Sequence, residues 1–434
     1  MDVGIIGAGG AGLTAAWLLD ETHAVTLYEK ESRLGGHVDT AELELDGERV
    51  TVDSGVDFFW PRMYPTFTRL LHALDVPVHR YAATLTLYTA DGRRAYRMPP
   101  MRGAKLRWST FTPRQVSTML QFRRALRRAT QLVESGDTST TVAQFVEGQG
   151  CSRSFKDDFF YPLMLAGWCM DGEEFRQLAA YDPLKYAVMR EPGRLGLTYS
   201  REVVGGARVY IDTLAKALTD VRIRVSSAVQ RITRPGSRYV VHDADGEVRE
   251  FDHLIVATGA LEARDLLAPL EGTEALRREL ARFEYFKTLI AIHGDRRLMP
   301  ADEEDWSVVN IRHDGQHSVN TVWKPWASRR PVFRSWVTFE TRRPDPLYRL
   351  ATYYHPKVSP TYFEAQRAIG KLQGRNNLWL AGMYTHDADC HESAVMSAVH
   401  IAHRLAPASE RLGRLMASGE AERAASPQVP GTQR

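Results

Sequence analysis

Cysteine is scarce in this chain: Cys151, Cys169 and Cys390 are the only three in 434 residues. They are odd in number and show no C-x-x-C or Cys/His spacing, so neither a disulfide framework nor a bound metal is expected. No stretch approaches ~18 uninterrupted apolar residues, which excludes a hydrophobic membrane-spanning helix. An excess of one charge is also missing. The net charge is only +3, far from the footprint of a nucleic-acid binder. Lysine is rare as well, nine against 47 arginines. The first expected strand begins at residue 2, which leaves no room for a secretory signal, and a cytoplasmic protein is expected. What remains is an ordinary globular composition, 44% hydrophobic and 25% charged. The chain is long enough for two domains and a large core.

The informative stretch comes first. Val3, Ile5 and Ile6 read as a buried parallel strand. Gly7, Gly9, Gly10, Ala11 and Gly12 follow with the G-x-G-x-x-G spacing, and small and aliphatic residues up to Leu19 predict a helix. Gly7 allows a tight turn, Gly9 lets the backbone approach a pyrophosphate, and Gly12 lets the helix lie close to the sheet. The helix N-terminus offers free N–H groups and a partial positive charge to phosphates. A second strand at 23–28 ends in Glu29 and Lys30. Glu29 falls near the ~20-residue offset at which an acid accepts a ribose 2′-OH and repels a 2′-phosphate. A dinucleotide without that phosphate is the expected ligand.

A second glycine pair follows, with Arg33 and His37 flanking Gly35 and Gly36, where the chain can pass under phosphate or ribityl oxygens. Residues 41–53 alternate around Asp46-Gly47 and predict a hairpin, which leads to Ser54 and Gly55. Taken in order, G-x-G-x-x-G, the acid, R-x-G-G-H and D-S-G-V resemble the amino-terminal part of the FAD-dependent amine oxidase and phytoene desaturase superfamily. The resemblance is closest to its bacterial group of predicted NAD/FAD-binding oxidoreductases, and it spans about residues 2–405.

That resemblance implies an α/β fold: a Rossmann-type (two-dinucleotide-binding-domain) FAD domain plus a substrate domain of antiparallel sheet and inserted helices. The implied division is 1–63, 201–282 and 371–406 for FAD, 64–200 for a mainly helical cap, 283–370 for the substrate sheet, and 407–434 for a partly disordered tail; the sequence turns polar beyond 405, and 418–434 is expected to be disordered. By the same resemblance, Val229 meets adenine through its main chain, and Ala257, Thr258 and Gly259 return beside the pyrophosphate. Gly382 and Met383 then reach the flavin, with a helix starting near Glu392 whose Ser393 and Ala394 pack closely. Lys287 falls where amine oxidases hold a water against flavin N5. Cys390 stands where those enzymes have an aromatic. With Tyr384, His386 and His391 it forms a polar group able to move protons, or one that only packs the helix entrance.

In the cap, 66–74 predicts an amphipathic helix, 78–96 strands turning at Asp91-Gly92, 113–134 a long helix, and 140–148 a helix capped by Ser139, Thr140 or Thr141. Arg123, Arg124, Arg127 and Arg128 fit a solvated helix face, with an anionic substrate, a carrier domain or a lipid surface as the alternative. Strands are expected at 288–293, 306–312, 318–323 and 335–340. The expected activity is dehydrogenation of a small, biosynthetic metabolite, carrier-bound and lipophilic substrates included, by hydride transfer from a C–N or C–C bond to flavin N5. The alternative is FAD kept for structure or for non-redox isomerisation.

Overall fold

The computed structural model describes residues 1–417, except 92–94, 103–104, 107, 109–110 and 194–196. The disorder expected at 418–434, and Gly92 of the expected turn, lie outside the described residues. A short helix, Glu410–Met416, precedes the tail.

Asp2–Ile6 is apolar on both faces and lies at the centre of a parallel sheet. The order is Val221–Arg224, Ala24–Tyr28, Asp2–Ile6, His253–Val256 and Leu378–Leu380. Alternate residues serve opposite faces. Val3, Ile5, Val25 and Leu27 pack under the helix Gly10–Leu19 and the closing helix His391–Leu405. Gly10–Leu19 is buried on every side, as its uniformly apolar sequence requires. On the other face, Ile6, Tyr28, Leu254 and Val256 pack against helices Ala260–Leu266 and Pro360–Gly370 and against an antiparallel sheet of Val229–Thr233, Tyr239–Asp243 and Val248–Phe251.

A second large sheet has the order Leu347–Pro356, Tyr285–His293, Phe333–Trp336, Ser318–Trp323, Val309–His313, Leu85–Thr89, Ala95–Met98. It is antiparallel except where Leu85–Thr89 runs parallel to Val309–His313. That pair joins distant parts of the chain, so no hairpin dictates its direction. Helices of the cap, rich in Phe155, Phe159 and Phe160, pack on Leu85, Leu87 and Phe286 of this sheet.

The strands expected at 78–96 form as Val78–Ala83, Leu85–Thr89 and Ala95–Met98. Several sequence expectations need correcting. Helix Pro65–Ala73 buries Phe67, Leu70 and Leu71 in the core of the glycine turn rather than in the cap. The strand expected at 306 begins at Val309, and the one expected at 335–340 ends at Trp336. Strand Leu347–Pro356 is half-exposed and irregular in burial, so its sequence carries no alternation. Thr112 caps the long helix Pro113–Ser135, and Thr141 forms a capping box with Gln144. Arg123, Arg124 and Arg127 are exposed, whereas Arg128 donates to the Gly148 carbonyl at 3.1 Å.

Candidate active site

One cavity of about 1160 Å³ runs from the glycine turn to the second sheet. At one end the strand Asp2–Ile6 stops and Gly7 turns with φ +102°. A Cβ on Gly12 would lie 1.9 Å from the Gly7 carbonyl oxygen, so the helix starts in contact with the turn. A Cβ on Gly9 would meet no atom within 4 Å. Gly9 therefore presents bare backbone to open space on the cavity wall, the cradle a pyrophosphate needs. The second glycine pair is tied to the first: Gly35 donates to the Ala8 carbonyl at 2.8 Å. The Glu29 carboxylate accepts from Ala8 N–H at 2.9 Å and Glu31 N–H at 3.0 Å, which fixes it on the wall with lone pairs to spare.

All the expected cofactor-binding residues line this cavity except Gly12, Ser54, Glu392 and Ser393. Gly12 acts in helix packing, as described. The other three are corrections. Ser54 is fully buried and donates to Asp39 while meeting the Tyr353 hydroxyl at 2.8 Å. Glu392 reaches away to accept from Thr66 and Phe67 N–H at 2.9 and 2.8 Å, so it caps another helix. Ser393 donates to the Ala388 carbonyl at 2.7 Å. The amino end of the closing helix still faces the cavity through Cys390, His391 and Ala394. Gly382 delivers the neighbouring strand, its N–H held by Ser397 at 2.9 Å. These residues fit FAD along the whole cavity floor.

The four expected catalytic residues separate. Lys287 is exposed and off the cavity wall; its strand neighbours Tyr285 and Phe286 line the wall instead. His391 is buried, with Nε2 2.6 Å from the Tyr210 hydroxyl. Burial, with His37 nearby, lowers its pKa to about 4, so the ring is neutral at pH 7. Burial pushes the Cys390 thiol up to about 12, leaving it protonated and no base. Tyr384 lies on the wall, and its hydroxyl has no hydrogen-bond partner among the described residues.

Sequence reasoning missed His355 and Asp389. Both line the cavity beside Cys390, with His355 Nδ1 3.7 Å from the Asp389 carboxylate. Only the tertiary fold joins them. The chamber beyond is walled by Trp60, Tyr64, Trp168, Tyr186, Phe286 and Trp336. Tyr64 and Tyr186, from other elements, lie close to Cys390. Also on the cavity wall, Asp57 pairs with Lys324 and, at 2.8 Å, with Arg334.

Similar proteins point the same way. No curated protein sequence matches this one. Among solved structures, a CLA-producing fatty acid isomerase from P. acnes superposes with a TM-score of 0.68 at 16% identity, over 93% of this chain and 98% of that one. Cyclohexylamine oxidase from Brevibacterium oxydans IH-35A gives 0.66 at 17% identity, over 93% and 99%. A putrescine oxidase bound to putrescine gives 0.65 at 14%, over 93% and 98%. At such identities the likeness is one of fold. The model of the flavin-containing amine oxidoreductases matches residues 11–294. With well over half of its length matched, the chain belongs to the flavin-containing amine oxidoreductase family and is an FAD-dependent oxidoreductase.

Proposed function

We propose that the protein dehydrogenates a small metabolite with an apolar body at a C–N or C–C single bond. The observation that carries this reading is the single cavity that joins the glycine cradle to an aromatic chamber, with the amino end of the closing helix at the junction. Bound FAD supplies the redox step by accepting two electrons and a hydrogen from the substrate carbon. The chain's own residues hold the cofactor, exclude water and take up a proton. Glu29, Gly9 and Gly36 hold the nucleotide end. The partial positive charge at His391–Leu405 favours electron density gathered beside it. Trp60, Tyr64, Tyr186 and Trp336 exclude water and leave room for a hydrocarbon.

His355 takes the proton-transfer role first expected of the group at Cys390, His391 and Tyr384. Its Nδ1 lies 3.7 Å from the Asp389 carboxylate, and the imidazole on the cavity wall can take the proton a substrate nitrogen or carbon releases. Cys151, Cys169 and Cys390 are all unpaired, which suits a reducing cytoplasm.

The test is anaerobic mixing of the purified yellow protein with a panel of amines and of saturated and unsaturated acids. Flavin absorbance should bleach with at least one class, and the His355→Gln variant should bleach far more slowly. A flavin that stays oxidised against every compound sinks the reading. A second reading, non-redox isomerisation, is supported by the thiol at Cys390 and by the fatty acid isomerase of similar fold. It would show as substrate rearrangement with no electron acceptor consumed.

A further inference from the structure

Arg190 follows the helix Tyr181–Val188 and lies half-buried on the chamber wall. Its Nε donates weakly to the Tyr186 carbonyl at 3.4 Å, and its guanidinium sits 5.6 Å from the centre of the Trp60 ring. Among the described residues no carboxylate comes within ion-pair distance of it. The other two arginines on the cavity wall differ: Arg33 is 4.0 Å from Asp39, and Arg334 is 2.8 Å from Asp57. Nor are the polar neighbours of Arg190 free to serve it. Trp60 Nε1 donates to Ser200 at 3.0 Å, and the Tyr186 hydroxyl donates to the Asp389 carbonyl at 2.6 Å.

The Nη1 and Nη2 groups of Arg190 are therefore a forked set of donors on a cavity-lining side chain, without an acceptor among the described residues. A guanidinium withdrawn from water without a counter-charge is costly, and that desolvation lowers its pKa. Resting on the reading of this chamber as the substrate site, we infer that Arg190 anchors a carboxylate at one end of the substrate. The fork matches a carboxylate in two parallel hydrogen bonds. One uncommitted cation suits a monoanion; a phosphate dianion would call for a second.

Position fixes the rest of the molecule. Trp60 packs edge-on against Tyr186 with centroids 6.1 Å apart, and Tyr186 and Tyr64 both lie close to Cys390. Arg190 is thus one layer of aromatic rings away from the amino end of the closing helix. The substrate class is an amphipathic organic acid whose apolar body lies along those rings.

The test is calorimetric titration of the FAD-loaded protein with octanoate, octanamide and octylamine, which share a chain and differ in charge. Octanoate should bind at least ~10-fold more tightly than octanamide. Arg190→Gln should abolish that preference while leaving octanamide unchanged, and Arg190→Lys should keep part of it. The inference is overturned if octanoate has no advantage, if octylamine binds best, or if the Gln variant weakens octanamide equally. Should Arg190→Gln fail to fold, the Lys variant decides: full loss of the octanoate preference together with octanamide binding would mark a packing role. Titration needs no turnover. A carboxylate preference without any flavin bleaching would remove the dehydrogenation reading alone; bleaching by amines without that preference would remove Arg190 alone.

Discussion

His391 shows how a single side chain ties the cofactor cradle to pH. Its ring packs edge-on against Phe67, meets Tyr210, and stands where a Cβ on Gly10 would lie 2.4 Å from its Cε1. In the folded protein it stays neutral down to about pH 4, whereas in the unfolded chain it takes a proton below about 6.5. The unfolded state therefore binds more protons between those values, and stability falls as pH drops through that window. At pH 5 the effect is about 2 kcal/mol. Asp53 opposes it: burial and Asp57 raise its carboxyl to about 7, so the folded state holds a proton there that the unfolded chain has lost. The measurement is thus a difference, urea unfolding of wild type and His391→Asn at pH 7 and pH 5. The variant should lose about 2 kcal/mol less on acidification; parallel curves would show that His391 is not kept neutral. The sequence placed this residue at the cavity and left proton transfer and packing of the helix entrance both open; its burial against Phe67 and Tyr210 fits packing. Its partner Tyr210 is 181 positions away, and no local pattern announces such a bond.

At the scale of elements, the glycine turn was the most legible part of the chain because each glycine answers a local demand. The structure separates two of those demands. Gly9 has φ −74° and open space at its Cβ position, so Gly9→Ala should fold normally while FAD affinity falls at least ~10-fold, the methyl occupying the pyrophosphate's place. Gly12→Ala would put a methyl 1.9 Å from a backbone oxygen and should yield little folded protein. Circular dichroism and FAD titration on both variants check this; equal behaviour would contradict the division. Glu392 is the opposite case. Its place in the first turn of a flavin-facing helix made it a cofactor contact on sequence grounds, but its side chain runs back to the second and third residues of Pro65–Ala73. Glu392→Ala should cost about 1–2 kcal/mol of stability, as loss of a helix cap does, with an unchanged flavin spectrum. Loss of flavin without loss of stability would restore the cofactor role.

The whole molecule is organised by the void it encloses. Gly7, Ala257 and Gly382 bring the ends of three parallel strands to one side of the cavity, while Phe286, Trp336 and His355 come from the second sheet. Motifs revealed the first group because nucleotide binding constrains backbone, and backbone constraints show as glycine spacing. They did not reveal the second group, since a chamber wall needs only the right volume and polarity, which many side chains on irregular strands can supply. Arg190, His355 and Asp389 were invisible for that reason. A ligand filling the cavity touches both sheets, so its binding energy should be felt by both. Saturation with FAD at a hundredfold excess over its dissociation constant contributes about 2.7 kcal/mol, which for a chain of this length raises the melting temperature by roughly 3 °C. Calorimetry of the stripped and reconstituted protein should show one transition moving as a unit. Two transitions, with only one shifted by FAD, would mean that the sheets melt independently and that the cavity does not couple them.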